Sequence, residues 1–197
     1  MAAPNREIEL KFLLTPEGAA AVLAALPSGE AGPADLVATY YDTADRGLGR
    51  RGFGLRVRRS GGRRTQTLKS ALGADGGRDE WDWIVESDRP DPALLSHTPA
   101  ALPVGADLLP MFTVRSRRTT RVVREGNSLI ELVIDDAEVT AGDRTEAFLE
   151  LEIELKSGDP AALTALAGRL AEHARLIPSA MTKAERGFTL LEAGRET

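Results

Sequence analysis

The sequence has 197 residues, 42% of them hydrophobic and 28% charged, which suits one domain with a core of its own over residues 1–197. It contains no cysteine and only two histidines, His97 and His173, so disulfides, thiolate metal sites and cysteine nucleophiles are excluded and imidazole chemistry has little to work with. A net charge of −5 argues against a generic nucleic-acid binder, and no apolar run approaches the roughly 18 residues of a membrane span. Residues 1–10 lack a secretory apolar segment, so a cytoplasmic protein with no membrane partner is expected.

The first predicted element is a strand, Glu7–Leu14, in which Ile8, Leu10 and Phe12 alternate with Glu7, Glu9 and Lys11. Thr15-Pro16-Glu17 then reads as a helix start, and an Ala/Leu-rich helix is expected to about Leu26, ended by Pro27 and a loop over Gly29–Pro33. Val37–Asp42, Gly54–Arg59 and Thr65–Ser70 are predicted strands, the last two joined as a hairpin through Ser60-Gly61-Gly62. After the loop Leu72–Gly77, Trp81, Trp83 and Val85 alternate with Glu80, Asp82, Ile84 and Glu86. The Pro-rich stretch Pro90–Pro110 has room for one short helix, started by Asp91-Pro92. Strands are then expected over Phe112–Val123, Ser128–Asp135 and Ala147–Lys156. A helix capped by Asp159-Pro160 follows, and a last helical segment over Ser179–Leu191 is weakened by Gly187. Many antiparallel strands with few helices read as α+β or a closed β-barrel.

The charges on these strands are segregated by face. Glu150, Glu152 and Glu154 share one face of their strand, with Leu149, Leu151, Ile153 and Leu155 on the other. Arg56 and Arg58 share a face, as do Thr65, Thr67 and Lys69, and as do Arg115 and Arg117. Two readings stand side by side: ordinary solvated faces, or a bipolar lumen in a closed barrel. In the second, an Arg/Lys wall holds a polyanion and a Glu wall holds a hard divalent cation.

Other patterns carry less. Gly47-Leu48-Gly49-Arg50-Arg51-Gly52 matches a dinucleotide-binding pattern but is followed by a strand instead of a helix. The arginines between Arg56 and Arg64 lack the interleaved aromatics of a nucleic-acid surface. Trp81 and Trp83 are expected in the core.

Taken in order, the elements resemble the signature of the CYTH superfamily, the triphosphate tunnel metalloenzymes. Glu7-x-Glu9-x-Lys11 is similar to its ExExK strand, Tyr40-Tyr41-Asp42-Thr43 to YYDT, Leu55-Arg56-Val57-Arg58 to LRxR and Thr67-Leu68-Lys69 to TxK. Arg78-Asp79-Glu80-Trp81-Asp82 resembles RxEWE with Asp82 in place of Glu, Arg115 and Arg117 resemble RxR, and Glu150–Glu154 resembles ExExE. Ser179–Phe188 resembles the C-terminal SKxERG element, with Met181-Thr182-Lys183 departing slightly from it. The resemblance implies an eight-stranded antiparallel barrel forming a tunnel, helices outside, and metal-dependent hydrolysis of triphosphates. It implies Mg²⁺ or Mn²⁺ on Glu7, Glu9, Glu150, Glu152 and Glu154, and phosphate binding by Lys11, Arg56, Arg58, Lys69, Arg115, Arg117 and Lys183. Lys11 and Lys183 would be the catalytic proton donors, and Glu80, Asp82 and Tyr41 would support the site. Glu150–Leu163 looks like the subgroup of bacterial inorganic triphosphatases, whose members often carry a further CHAD domain; the expectation here is a single CYTH domain. The substrate is expected to be inorganic triphosphate. Adenylate cyclase or thiamine triphosphatase activity in the same lumen, and a polyphosphate- or nucleotide-binding module without turnover, are the alternatives.

Overall fold

The computed structural model describes residues 4–27, 32–74 and 76–194. Parts of the expected loops, residues 29–31 and 75, lie outside the described residues. Strand β1 (Asn5–Leu13) leads into helix α1 (Pro16–Ala24), then come β2 (Ala34–Asp42), β3 (Phe53–Ser60), β4 (Arg63–Ser70) and β5 (Gly77–Ile84). Long strands β6 (Leu109–Glu125), β7 (Ser128–Ala141) and β8 (Arg144–Ser157) follow, then α2 (Ala161–Ala171), the two-residue β9 (Ile177–Pro178) and α3 (Lys183–Ala193).

The sheet runs β5-β4-β3-β2-β6-β7-β8-β1, and β1 returns to pair with β5, closing an eight-stranded antiparallel barrel. The β1–β5 seam is short, four residue pairs from Asn5↔Glu80 to Ile8↔Gly77. Beyond it β9 takes over the same edge of β1, pairing Phe12 with Pro178 and Leu13 with Ile177. The β3–β4 hairpin turns through Gly61-Gly62, with Gly61 at φ +55°, a conformation glycine adopts without steric cost.

Local chemistry starts and stops the helices as expected. Thr15 accepts a hydrogen bond from Gly18 N at 3.1 Å at the start of α1, with Pro16 in its first turn. The Pro-rich connection holds one 3₁₀ turn, Pro92–Leu95, capped by Asp91. α3 begins later than the expected Ser179, because Ile177–Pro178 is held as strand and Thr182 and Glu185 form a capping box. Gly187 is less a weak point of α3 than a close-packing position: a Cβ there would stand 2.2 Å from the Phe112 ring.

Three apolar clusters position the barrel. Outside it, Ile130, Leu132, Leu151 and Ile153 are buried against Val22 of α1 and Leu163, Leu166 and Leu170 of α2. The connection after β5 covers a second outer patch, with Leu55, Leu68 and Trp81 packed around Leu95. Each such fully buried side chain stabilises the fold by about 1.5–3 kcal/mol relative to exposure. The third cluster lies at one end of the barrel. There Tyr40 stacks on Phe112 at 4.7 Å and Phe112 meets Phe188 of α3 edge-on at 5.1 Å. That cluster closes off part of the interior, and the remaining space is a charged chamber.

Candidate active site

The side-chain alternation of each strand decides what faces the chamber. On β1, Ile8, Leu10 and Phe12 pack outward under the helices, which turns Glu7, Glu9 and Lys11 inward. On β8 the outward Leu149, Leu151, Ile153 and Leu155 do the same for Glu150, Glu152 and Glu154. The register places Glu9 opposite Glu154 and Lys11 opposite Glu152. Across the barrel, outward Leu55 and Val57 send Arg56 and Arg58 in, and outward Leu68 sends Thr67 and Lys69 in. Outward Trp81 and Trp83 likewise leave Arg78, Glu80 and Asp82 facing the interior. The result is a chamber of about 580 Å³, within the usual range for small-molecule sites.

The acidic wall is neutralised from within. Lys11 Nζ lies 3.0 Å from Glu152 and 3.3 Å from Glu9. Lys69 reaches Glu7 at 2.7 Å and Glu80 at 3.3 Å, and Arg78 is bonded to both Glu7 and Glu9. Lys183, the first residue of α3, is bonded to Glu150, to Glu152 at 2.9 Å and to Asp135 at 3.0 Å. Burial alone would raise the carboxyl of Glu7, but Lys69 and Arg78 outweigh it and hold the pKa at about 2. Against the same burial, Lys11 and Lys183 hold Glu152 well below the ordinary carboxylate range. Glu150 and Glu154 go the other way, raised by burial and by the neighbouring charges of Glu152 for one and of Glu7 and Glu131 for the other.

The basic wall is neutralised only in part: Lys69 and Arg118 have carboxylate partners, and Arg56 is hydrogen-bonded to Tyr40 and lies near enough to Glu80 for its charge to be felt. Among the described residues no carboxylate pairs with Arg56 or Arg58, and the buried Nε of Arg56 has no hydrogen-bond partner. The charge of Arg56, then burial and Arg118, push the Arg58 guanidinium down to about 10. Two guanidinium groups held side by side in this way attract an anion.

Among the residues that sequence reasoning singled out, Glu7, Glu152, Glu154, Glu80 and Asp82 line the chamber with Lys11, Arg56, Arg58, Lys69 and Lys183. Glu9 and Glu150 stand behind the wall, in ion pairs. Arg115 and Arg117 are not brought to the site: both are exposed on the barrel's outer face. Their place is taken by Arg118, which sits opposite Asp135 and binds it through two hydrogen bonds of 2.8 and 2.6 Å. The physical reason is that β6 reverses the usual polarity. Its inward face carries Phe112 and Val114 at the plugged end, and its outward face there lacks a helical cover, so the exposed arginines mark the solvent side. Tyr41 is also displaced from its expected role: it faces the outer cluster and donates to Asp88 O at 2.8 Å, whereas Tyr40 lines the chamber.

Asp135, fully buried beneath Arg118 and Lys183, was missed because it ends the expected strand and looks like a turn residue; its parity with Ala137 and Val139 on the inward face was the available signal. Arg78 was visible only as part of a motif, since its neighbours Asp79 and Gly77 mask its alternation.

The donor set is all oxygen, which suits a hard divalent cation in kind. As the side chains stand, no three carboxylates among the described residues converge as a ligand set, because Lys and Arg hold them. Glu7, Glu9 and Glu154 would hold a cation only after leaving Lys69, Arg78, Lys11 and Lys156; Glu154 faces Glu9 across the ladder, and burial and then the charge of Glu7 raise its carboxyl.

A closed barrel with this order of charged strands can be compared with known proteins. The CYTH domain model matches residues 5–188. The chain belongs to the CYTH family. An inorganic triphosphatase of Haemophilus influenzae is 31% identical over 193 residues, 94% of this chain and 55% of that protein. The CYTH chain thus spans about half the length of this curated relative. Among solved structures, a Bacillus halodurans protein provisionally assigned as an adenylate cyclase shares the fold with a TM-score of 0.67 at 20% identity, covering 94% of this chain and 98% of that one. A Hippeastrum protein described as having a dominant triphosphatase activity gives 0.65 at 18% identity, over 96% of this chain and 95% of that one. A Pyrococcus horikoshii protein gives 0.64 at 20%, over 95% and 99%. No helix among the described residues is long and apolar enough to cross a membrane.

Proposed function

We propose that this CYTH chain hydrolyses inorganic triphosphate to pyrophosphate and phosphate with the help of a divalent cation, Mg²⁺ or Mn²⁺, in a cytoplasmic setting. The observation that carries the reading is the Arg56–Arg58 cluster, which has no carboxylate ion pair among the described residues, facing a wall of carboxylates across one chamber. An anion binder alone has no use for the carboxylates, which argues for turnover over mere binding. The identity with a curated inorganic triphosphatase supports the choice of substrate.

Arg56, Arg58, Lys69 and Arg118 would take the phosphate oxygens, neutralising charge that grows on the leaving pyrophosphate. Asp135 would act through others, fixing Arg118 and Lys183 in place. Lys11 and Lys183 stay protonated: despite burial, Glu152 and its neighbours raise both above the ordinary lysine range. Such ammonium groups stabilise a leaving phosphate by charge more readily than by giving up a proton. A divalent cation on Glu7, Glu9 and Glu154 would supply charge neutralisation and a more acidic water. The test is phosphate release from triphosphate, pyrophosphate, ATP and thiamine triphosphate, each with and without metal. Triphosphate is expected to give the highest kcat/KM. Cyclic AMP formation from ATP, or a higher value for thiamine triphosphate, would replace this reading.

A further inference from the structure

Among the described residues Arg46 is the only non-glycine residue with a left-handed backbone, at φ +60°. Such a conformation costs on the order of 1–3 kcal/mol and persists where the surroundings fix it. Here they do. At the end of β2 the Asp42 carboxylate accepts from the backbone N–H groups of Thr43, Leu48 and Gly49 at 2.7, 2.8 and 2.9 Å. The Thr43 hydroxyl accepts from Gly47 N at 2.7 Å and donates to Asp45 at 2.7 Å. This pinned loop carries the Arg46 guanidinium over the Phe188 ring, 4.1 Å from its centroid, and into an ion pair with Glu192 of α3. Arg46 also lines the chamber, at the mouth beside α3, whereas the other arginines and lysines facing the interior project from the barrel strands and the start of α3.

The partner that now holds Arg46 is a weak one. The Glu192 side chain is 63% exposed and that of Arg46 33%, so solvent screens the pair. A phosphate offers the guanidinium two oxygens at once and more charge, and forms the stronger bidentate contact. We propose that Arg46 is a phosphate-binding residue at this mouth, exchanging Glu192 for the outermost phosphate of a linear inorganic phosphate chain. This rests on the triphosphate reading of the chamber. The pinned backbone lowers the ordering cost of presenting the guanidinium, and Glu192 is its competitor in the free protein.

The experiment compares wild type, Arg46→Gly and Glu192→Gln by calorimetric binding of triphosphate in EDTA and by steady-state kinetics. Glycine accepts φ +60°, and that relief offsets the lost Phe188 and Glu192 contacts, so Arg46→Gly should keep its melting temperature within a few degrees. It should weaken triphosphate binding and raise KM about tenfold, the low end for a charged hydrogen bond, with kcat within about twofold. Glu192→Gln should move binding the opposite way, tightening it about twofold to fourfold. Unchanged affinity in Arg46→Gly overturns the proposal. So does a matched loss of affinity and melting temperature in both variants, which would make the pair a simple strap between loop and helix. If wild type binds but does not hydrolyse triphosphate and the opposed shifts persist, the proposal stands and the triphosphatase reading falls. Wild type that binds triphosphate neither in EDTA nor with Mg²⁺ or Mn²⁺ overturns both, and binding that appears only with metal and is unchanged in Arg46→Gly overturns this proposal.

Discussion

On β1 and β8 every inward charge has a partner: Lys11 bridges Glu9 and Glu152, Arg78 bridges Glu7 and Glu9, Lys183 holds Glu150, and Lys156 holds Glu154 at 2.8 Å. On β3, a barrel's width away, Arg56 and Arg58 have no carboxylate partner among the described residues and repel each other. Buried charges left unpaired are expensive, so proteins normally pair them. The difference teaches that the two walls are in different states of readiness. The acidic wall must release its lysines and Arg78 to take a cation, while Arg56, bonded to Tyr40 but to no carboxylate, and Arg58 can take up phosphate oxygens without giving up an ion pair.

The largest effect expected from this contrast is the loss of turnover on metal removal. Chelation should abolish phosphate release, because without a cation between them the carboxylates of Glu7, Glu9 and Glu154 would repel the phosphate chain and could supply no activated water. Full activity of demonstrably metal-free protein in excess EDTA would break the comparison at its acidic side. Next, Glu152→Gln should lower kcat by about two orders of magnitude, since it loosens Lys11, Lys183 and Arg118 together. A circular-dichroism melt should show it folded; unfolding would recast Glu152 as structural.

A smaller effect sharpens the basic side. Arg58→Ala should raise KM for triphosphate by about ten- to a hundredfold, as loss of charged hydrogen bonds does. Arg115→Ala and Arg117→Ala, on the outer face, should change it by no more than about twofold. Equal losses at all three positions would mean that the inward face of β6 is the odd-numbered one after all. The smallest effect concerns stability. Glu7 is an acid whose pKa falls on folding, so its contribution is complete above the ordinary value of 4.5 and disappears as pH drops toward about 2. Asp135 and Glu152 act in the same direction, and the raised Glu150 and Glu154 oppose them. The melting temperature of Glu7→Gln should therefore fall less steeply than that of wild type between pH 5 and 3 (a window set by the lowered pKa). Parallel slopes would contradict the buried pairing of Glu7 with Lys69 and Arg78.

What could be read from the sequence follows the coverage of the barrel. Where helices or the long connection cover the outside, inward polar and outward apolar residues alternate cleanly, and Glu7–Lys11, Arg56–Arg58 and Glu150–Glu154 are legible. On β6 that logic inverts, because solvent lies outside and Phe112 inside, so Arg117 looked inward and Arg118 did not. Asp135 escaped because β7 runs on to Ala141 instead of stopping at a turn. Pairings such as Lys183 with Asp135 join residues 48 positions apart in sequence, and no local pattern records them.

The short seam between β1 and β5, continued by β9, sets the order of assembly. β1 precedes the other strands of this barrel in the sequence, yet Lys11 pairs with Glu152 and Leu13 with Ile177. The β1–β5 seam is available once β5 is made, but the edges of β1 that meet β8 and β9 wait unpaired while more than half of the chain is made. Such non-local closure slows folding and leaves strand edges open to wrong partners. Amides along Glu9–Leu13 and Glu150–Glu154 should therefore gain protection from hydrogen exchange late in refolding, and those of the four-pair seam Asn5–Ile8 and Gly77–Glu80 should be the first to lose it when the barrel breathes.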